Sequence, residues 1–351
     1  MQTPELWITG LGRFVPETES VRDAVRAGLC TAEEAAEHQM TGAAVAGDLP
    51  APEMALRAAR DALADAGADP AAVRLLLYAD TWHQGPDGWF PQYHLHRELD
   101  LGDIVALEVR QGCNGLFNAL ELAAPYLAAG PSGGTALLVA ADNYGTPGVN
   151  RWRSGDFVFG DGAGALLLGR TPGRVRVLSV GTAAVPEMEG LHRFGEPDFP
   201  PRATVGATLD LRSRMEKFTA HVEETGDGTR LWVTLQKKMI LLAGRVLGEA
   251  GIVPGDVARV VLNSLAPGAQ EHRWLEIMGI GPERSTWDYA RGIGHIGASD
   301  PVLGLHHLLS TGAVAPGDHV VLGGIGSGLT VSCAVVRVED PAGEGAAWTS
   351  T

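Results

Sequence analysis

The stretch ARDALADAGADPAAVRLLLYA (59–79) is repeated in outline by GRVLGEAGIVPGDVARVVLN (244–263), and this correspondence decides the fold. Gly67, Pro70 and Val73 stand against Gly251, Pro254 and Val257 at a constant separation of 184 residues. Each copy reads as an amphipathic helix closed by glycine, a proline-containing turn, then a short unbroken apolar strand. Three further matches follow in the same order. GCNG (112–115) precedes GHIG (294–297) by 182 residues, and GGTALLVAAD (133–142) precedes PGDHVVLGGI (316–325) by 183. GAGALLLGR (162–170) and GLTVSCAVVRV (328–338) are both apolar strands that follow a glycine-rich turn. Four ordered matches at nearly one spacing predict two related α/β halves, 1–170 and 171–351, with helices packed on the faces of mixed sheets. The segment 186–230 has no counterpart in the first half. Its Pro-rich, aperiodic run PEMEGLHRFGEPDFPPRATVG reads as a long excursion, the kind of loop that tends to carry function.

Composition narrows the function. Of 351 residues 45% are hydrophobic and 20% charged, which suits a large packed core and excludes a disordered chain. No run approaches a membrane-spanning length, and MQTPELWITG lacks the pattern of a signal peptide, so a cytoplasmic protein that does not act in a membrane is expected. Lys plus Arg number 27 against 42 Asp plus Glu, a net charge of −15 that repels phosphate backbones and argues against nucleic-acid binding. Three cysteines, Cys30, Cys113 and Cys333, are too few for a disulfide framework.

The chemistry is expected where the repeats meet. GCNG and GHIG are equivalent loops, and related halves packed about a pseudo-twofold axis would bring Cys113 of one against His295 of the other. After Cys113 the sequence NGLFNALELAAPYLAAG is apolar at helical spacing, with Pro125 expected to kink its second half. Cys113 therefore sits at a helix N-terminus, where unpaired N–H groups favour thiolate, as a covalent nucleophile requires. Cys30, in an Ala-rich helical stretch, and Cys333, inside an apolar strand, read as inert buried thiols. His94 and His96, and His306 and His307, lack a third ligand, so no metal is expected of them. Asp300 precedes Pro301 and an apolar helix. It reads as an N-cap and also as an acceptor that orients His295 in a Cys-His-Asp relay. GGIGSG (323–328) leads into a strand and not a helix. It therefore reads as a tight turn offering a backbone N–H to the site, with the N–H of Cys113 as the other half of an oxyanion hole.

At these residues the sequence resembles the thiolase-fold condensing enzymes, specifically β-ketoacyl-ACP synthase III. ITGLGRFVPE at the start, the segment around Cys113, VFGDGAGALLLG (158–169), GHIGASD (294–300) and GGIGSGLT (323–330) carry the resemblance in order along nearly the whole chain. It implies a thiolase-like five-layered αβαβα fold built from two repeated halves, usually a homodimer without a cofactor. It also implies that Cys113 takes an acyl group from a carrier thioester while the N–H groups of Cys113 and Gly328 hold the thioester oxygen. The departures bear on the reaction. Asn263, in NSLA (263–266), falls at the family's histidine position and His295 at its asparagine position, so the two types are exchanged. Asp300 replaces a small residue, and a carboxylate beside His295 suits deprotonation of an alcohol.

The pattern resembles a subgroup of synthase III relatives that acylate hydroxyl groups of natural products, including sugars. Ala36 and Met40 fall where the family has a CoA-binding Trp and Arg, which implies an acyl-carrier-protein (ACP) donor more than a CoA ester. Arg212, Arg214, Lys217, Lys237 and Lys238 are candidates for a carrier-docking patch, and equally for a solvated helix face. The expected activity is an acyltransferase, with Asn263 positioning the acceptor or the carbonyl, and with TWHQGPDGWFPQYH (81–94) and the excursion as acceptor walls. The aromatic residues of these two segments could equally pack at a dimer interface. Decarboxylative Claisen condensation and a non-catalytic partner subunit are the alternatives.

Overall fold

The computed structural model describes residues 1–146, 148–200 and 206–340. The front half runs β1 (Gln2–Phe14), α1 (Ala51–Asp65), β2 (Val73–Ala79), β3 (Val105–Val109), α2 (Gly115–Ala129), β4 (Thr135–Asp142) and β5 (Gly162–Gly169). The rear half runs β6 (Val175–Ala184), α3 (Leu211–Glu224), α4 (Gly228–Ala250), β7 (Val257–Leu262), α5 (Asp300–Ser310), β8 (His319–Gly326) and β9 (Thr330–Val338). The strands bond in the order β3-β2-β4-β5-β1-β6-β9-β8-β7. Within it β2-β4-β5-β1 and β7-β8-β9-β6 are the same arrangement written twice. In each, two parallel strands are followed by two antiparallel ones, and the antiparallel β1–β6 ladder joins the copies.

The unbroken apolar strands are explained by cover on both faces. In β2, Leu75 and Leu77 point into a central cluster while Val73, Leu76 and Tyr78 point into an outer one. In β4, Leu138 faces the centre and Leu137 and Val139 the outside. A strand exposes alternate side chains to opposite faces, so only a sandwiched strand gains by being apolar throughout. The outer layers are α1 against the front strands and α4 against the rear ones. The central layer is α2 and α5, whose Leu116, Phe117 and Leu120, and Val302, Leu305 and Leu308, pack among strand residues of both halves. This is the five-layered αβαβα arrangement.

Helix α2 runs through Pro125 to Ala129. Two local expectations need amendment. The excursion lies partly outside the described residues, at 201–205. Within it, α3 is an ordinary amphipathic helix that buries Phe218 and Val222, an i, i+4 pair. Asp300 does not cap its helix. It occupies the first helical position behind Ser299, and its carboxylate turns back to the preceding loop.

Candidate active site

The two equivalent loops meet at the N-termini of the two central helices. Cys113 lies in a single 3₁₀ turn, Gly112–Asn114, that runs directly into α2. A Cβ on Gly112, whose φ is +54°, would lie 3.2 Å from both the nitrogen and the hydroxyl of Ser327, so this turn touches the β8–β9 turn. His295 is fixed by its own backbone, its N–H donating to Val158 O (2.7 Å) and its carbonyl accepting from Gly160 (3.0 Å). The rings of Phe157 and Phe159 stand 5.0 and 6.1 Å from its imidazole. At Gly297 (φ +53°) a Cβ would fall 2.4 Å from Thr81 Oγ1 and 2.5 Å from Asp142 Oδ2, so only glycine lets this loop approach so closely.

The sequence-derived trio comes together. Cys113 Sγ lies 3.0 Å from His295 Nε2, and His295 Nδ1 lies 2.6 Å from Asp300 Oδ2. Asp300 also accepts from the N–H of Ser264 (2.8 Å) and of Ile296 (2.8 Å), so three donors fix its orientation. His295 is 1% exposed and Asp300 3%, while Cys113 is half-buried and reaches the cavity. Burial opposes a charged imidazole. The Cys113 sulfur and the Asp300 carboxylate on its two nitrogens outweigh burial, and its pKa stands well above the usual histidine value. The two contacts thus favour the charged imidazolium of His295. The other two cysteines are buried thiols. Burial pushes the Cys333 thiol up to about 12 and raises that of Cys30 as well.

Asn263 and Gly328 are not among the residues that line the cavity in front of Cys113. Asn263 is 3% exposed, and its Oδ1 accepts from Ile325 N (2.6 Å) at the end of β8. Gly328 is exposed in the turn, whereas Ile325, Gly326, Ser327 and Leu329 around it line the cavity that Cys113 also lines.

The cavity in front of Cys113 has a volume of about 120 Å³. Its walls are mainly apolar, among them Leu191, Leu211, Met215 and Trp232. Of the aromatic loop 81–94 only Thr81 lines it, whereas the excursion contributes four residues, Leu191, His192, Leu211 and Met215. Three ionisable side chains of the wall escaped the sequence reading: Asp156, His192 and Arg273. Burial, and then the nearby Arg273 charge, bring His192 down to about 4, so it is neutral at ordinary pH. Burial lowers Arg273 as well, and Asp156 opposes that shift. His192 could have been found through the excursion; nothing in sequence distinguishes Arg273 from a surface arginine.

Among the candidate docking cations, Arg212 is paired with Glu37 (2.5 Å), Arg214 with Glu196 (3.0 Å), and Lys238 donates to Ala184 O. Ala36 and Met40 line a separate surface depression beside Arg22 and Arg26. Among the described residues, no helix is long and apolar enough to cross a membrane.

A cysteine, a histidine and an aspartate in series, at the centre of a duplicated αβαβα fold, define an acyl-transfer enzyme of the thiolase fold. Residues 107–184 match the family model 3-oxoacyl-[acyl-carrier-protein] synthase III, and residues 247–338 match the model of its C-terminal part. The solved structure of ChlB3, an acyltransferase, is 47% identical over 97% of this chain and 99% of that one, with a TM-score of 0.90. Beta-ketoacyl-[acyl-carrier-protein] synthase III 3 of Streptomyces coelicolor is 29% identical over 81% of this chain and 82% of its own. The acetoacetyl CoA synthase NphT7 of Streptomyces sp. CL190 is 26% identical over 94% and 98%. The chain belongs to the 3-oxoacyl-[acyl-carrier-protein] synthase III family, and it is a transferase.

Proposed function

We propose that this enzyme moves an acyl group from a carrier thioester, through a Cys113 thioester, to a hydroxyl of a small natural-product or sugar acceptor. The observation that carries the reading is the unbroken series of contacts from sulfur to imidazole to carboxylate. In the first step the Cys113 thiolate attacks the donor carbonyl. The tetrahedral oxyanion is held by backbone N–H groups of Cys113 and of the 325–328 turn. Ser327, which lines the cavity and packs on the turn at Gly112, is a better second donor than the exposed Gly328. As the intermediate collapses, imidazolium His295 gives its proton to the departing carrier thiolate. The thiolate charge that had raised the imidazole is then gone, and His295 is left as a neutral base held by Asp300. In the second step His295 takes the acceptor's hydroxyl proton as the oxygen attacks. Collapse then releases the ester and restores the thiolate–imidazolium pair.

Asn263 acts on the wall by holding the β8 end. Asp156, His192 and Arg273 are the polar groups that would orient the acceptor in an otherwise apolar space. The small cavity suits a short or flat acyl group. An ACP thioester is the preferred donor, because alanine and methionine stand where CoA recognition is expected; CoA is the alternative. The enzyme is assigned to the cytoplasm and to secondary metabolism, and the chain to two halves divided near residue 170. A homodimer is the expected assembly. Edge strand β3 presents Val105 and Leu107 on one face, 44% and 48% exposed, and Leu122 and Tyr126 of α2 are also exposed.

The decisive experiment offers the protein a panel of acyl-ACP and acyl-CoA thioesters and follows the intact mass. Wild type gains one acyl group and Cys113→Ala none, and added hydroxyl acceptor discharges the adduct as an ester. Absence of any adduct on wild type would leave a non-catalytic subunit as the better reading. Release of CO₂ from a malonyl thioester, with a new C–C bond, would replace ester formation by condensation.

A further inference from the structure

A second cluster of reactive side chains lies outside the cavity, where β2 and β3 end side by side. Tyr78 pairs with Glu108 in the parallel ladder, and Asp80 is one residue past the end of β2. His83 follows in the next turn. One ligand atom from each of Asp80, His83 and Glu108 lies within 4.8 Å of the others. Asp80 is 1% exposed, and neither of its carboxylate oxygens accepts a hydrogen bond. Oε1 of Glu108 is likewise buried without one.

His83 is turned for ligation. Its Nε2 lies 3.4 Å from Pro86 O, and its Nδ1 faces Glu108 Oε1 at 3.7 Å. When Nε2 carries the proton and donates to the carbonyl, the Nδ1 lone pair points at the carboxylates, the backing commonly given to a metal-bound imidazole. The cation already present is a poor match. Arg110 Nε stands 3.9 Å from Asp80 and 3.8 Å from Glu108, beyond hydrogen-bond length, and its side chain is 62% exposed. Two buried carboxylates facing each other without donors are costly unless a cation or a shared proton lies between them.

We propose that Asp80, His83 and Glu108 form a site for a divalent transition-metal ion, with zinc the best fit. One imidazole and two carboxylates are a mixed nitrogen and oxygen donor set. It suits zinc and its neighbours better than magnesium or calcium, which prefer oxygen alone. Arg110 swings into solvent when the ion enters. The ion's role is positional. Thr81, between Asp80 and His83 in sequence, lines the catalytic cavity, and the N–H groups of Thr81 and Trp82 donate to Asp142 Oδ1 at 2.9 and 2.8 Å. A metal on Asp80 and His83 would clamp both ends of that turn.

The test must separate this site from the Cys113–His295 pair, which could also take zinc. Full-length Cys113→Ala protein, stripped with chelator, is titrated with zinc chloride by calorimetry and with cobalt chloride by absorbance. The expected result is one ion per chain, a rise in thermal midpoint on zinc addition, and cobalt d–d bands without thiolate charge transfer. Adding His83→Gln or Asp80→Asn should weaken binding at least about tenfold. His83→Gln alters a partly exposed side chain, and circular dichroism checks that each variant remains folded. No stoichiometric binding to folded Cys113→Ala protein, or binding unchanged by His83→Gln, overturns the proposal.

Discussion

The loops Gly112–Gly115 and Gly294–Gly297 occupy equivalent places in the two halves, each leading into a central helix, yet their side chains live in opposite surroundings. Cys113 is half-buried and opens on the cavity; His295 is 1% exposed, packed edge-on against Phe157 and stacked on Phe159, and bonded at both nitrogens. On the proposed mechanism the difference fits the roles: a nucleophile must meet a substrate and stay accessible, whereas a base needs a fixed direction and a controlled charge, which burial and a carboxylate supply. A duplicated fold thus gives two helix N-termini on one axis, and the division of labour comes from what each half packs around its own.

The largest break in that comparison is His295→Ala, which leaves the thiol without its base. We expect Cys113 still to acquire acyl groups, more slowly, while transfer to acceptor falls about 10²–10⁴-fold in single-turnover assays. Transfer at the wild-type rate would show that the base is another residue. Asp300→Asn tests the burial side of the comparison. An amide cannot accept from all three donors, so one of the His295, Ser264 and Ile296 contacts must be lost. Transfer should drop about 10²-fold, with the activity profile shifted because the carboxylate no longer supports the imidazolium.

A third prediction sets Cys113 against Cys333. Under native conditions a thiol reagent should modify Cys113 at neutral pH and leave Cys333, whose thiol is pushed up to about 12, untouched until the protein unfolds. Mapping of the modified peptides reads this directly.

The smallest effect concerns His192. Its folded pKa, about 4, lies below the ordinary 6.5, so between these values the unfolded chain binds a proton that the folded chain refuses. Its contribution to stability is therefore complete above pH 6.5 and is lost as pH falls toward 4, by up to about 1.4 kcal/mol per pH unit. Chemical denaturation at several pH values should give a shallower acid slope for His192→Gln than for wild type.

Much of the site was legible because helix N-termini and tight turns write themselves in local sequence. The glycines around Cys113 and His295, and the matched spacing of the two loops, are enough to pair sulfur with imidazole. Asp300 was half legible. Pro301 beside it suggested a cap, but the chain enters α5 through a 3₁₀ turn, and the carboxylate faces backward to the loop it stabilises. Gly328 and Ser327 are one residue apart in a turn, and only the folded turn shows Ser327 lining the cavity and Gly328 exposed. Arg273 and Asp156 carried no signal, because each is an ordinary residue made special by the cavity that closes over it.

By itself the sequence determined the repeat, the covered strands and the pairing of Cys113 with His295, since periodicity and backbone-forced residues are local properties. The tertiary structure alone decided which side chains share the cavity, which way Asp300 points, and how far the imidazole's charge is raised. Those depend on distance and burial between segments far apart in the chain, and Coulomb energies and desolvation act through space.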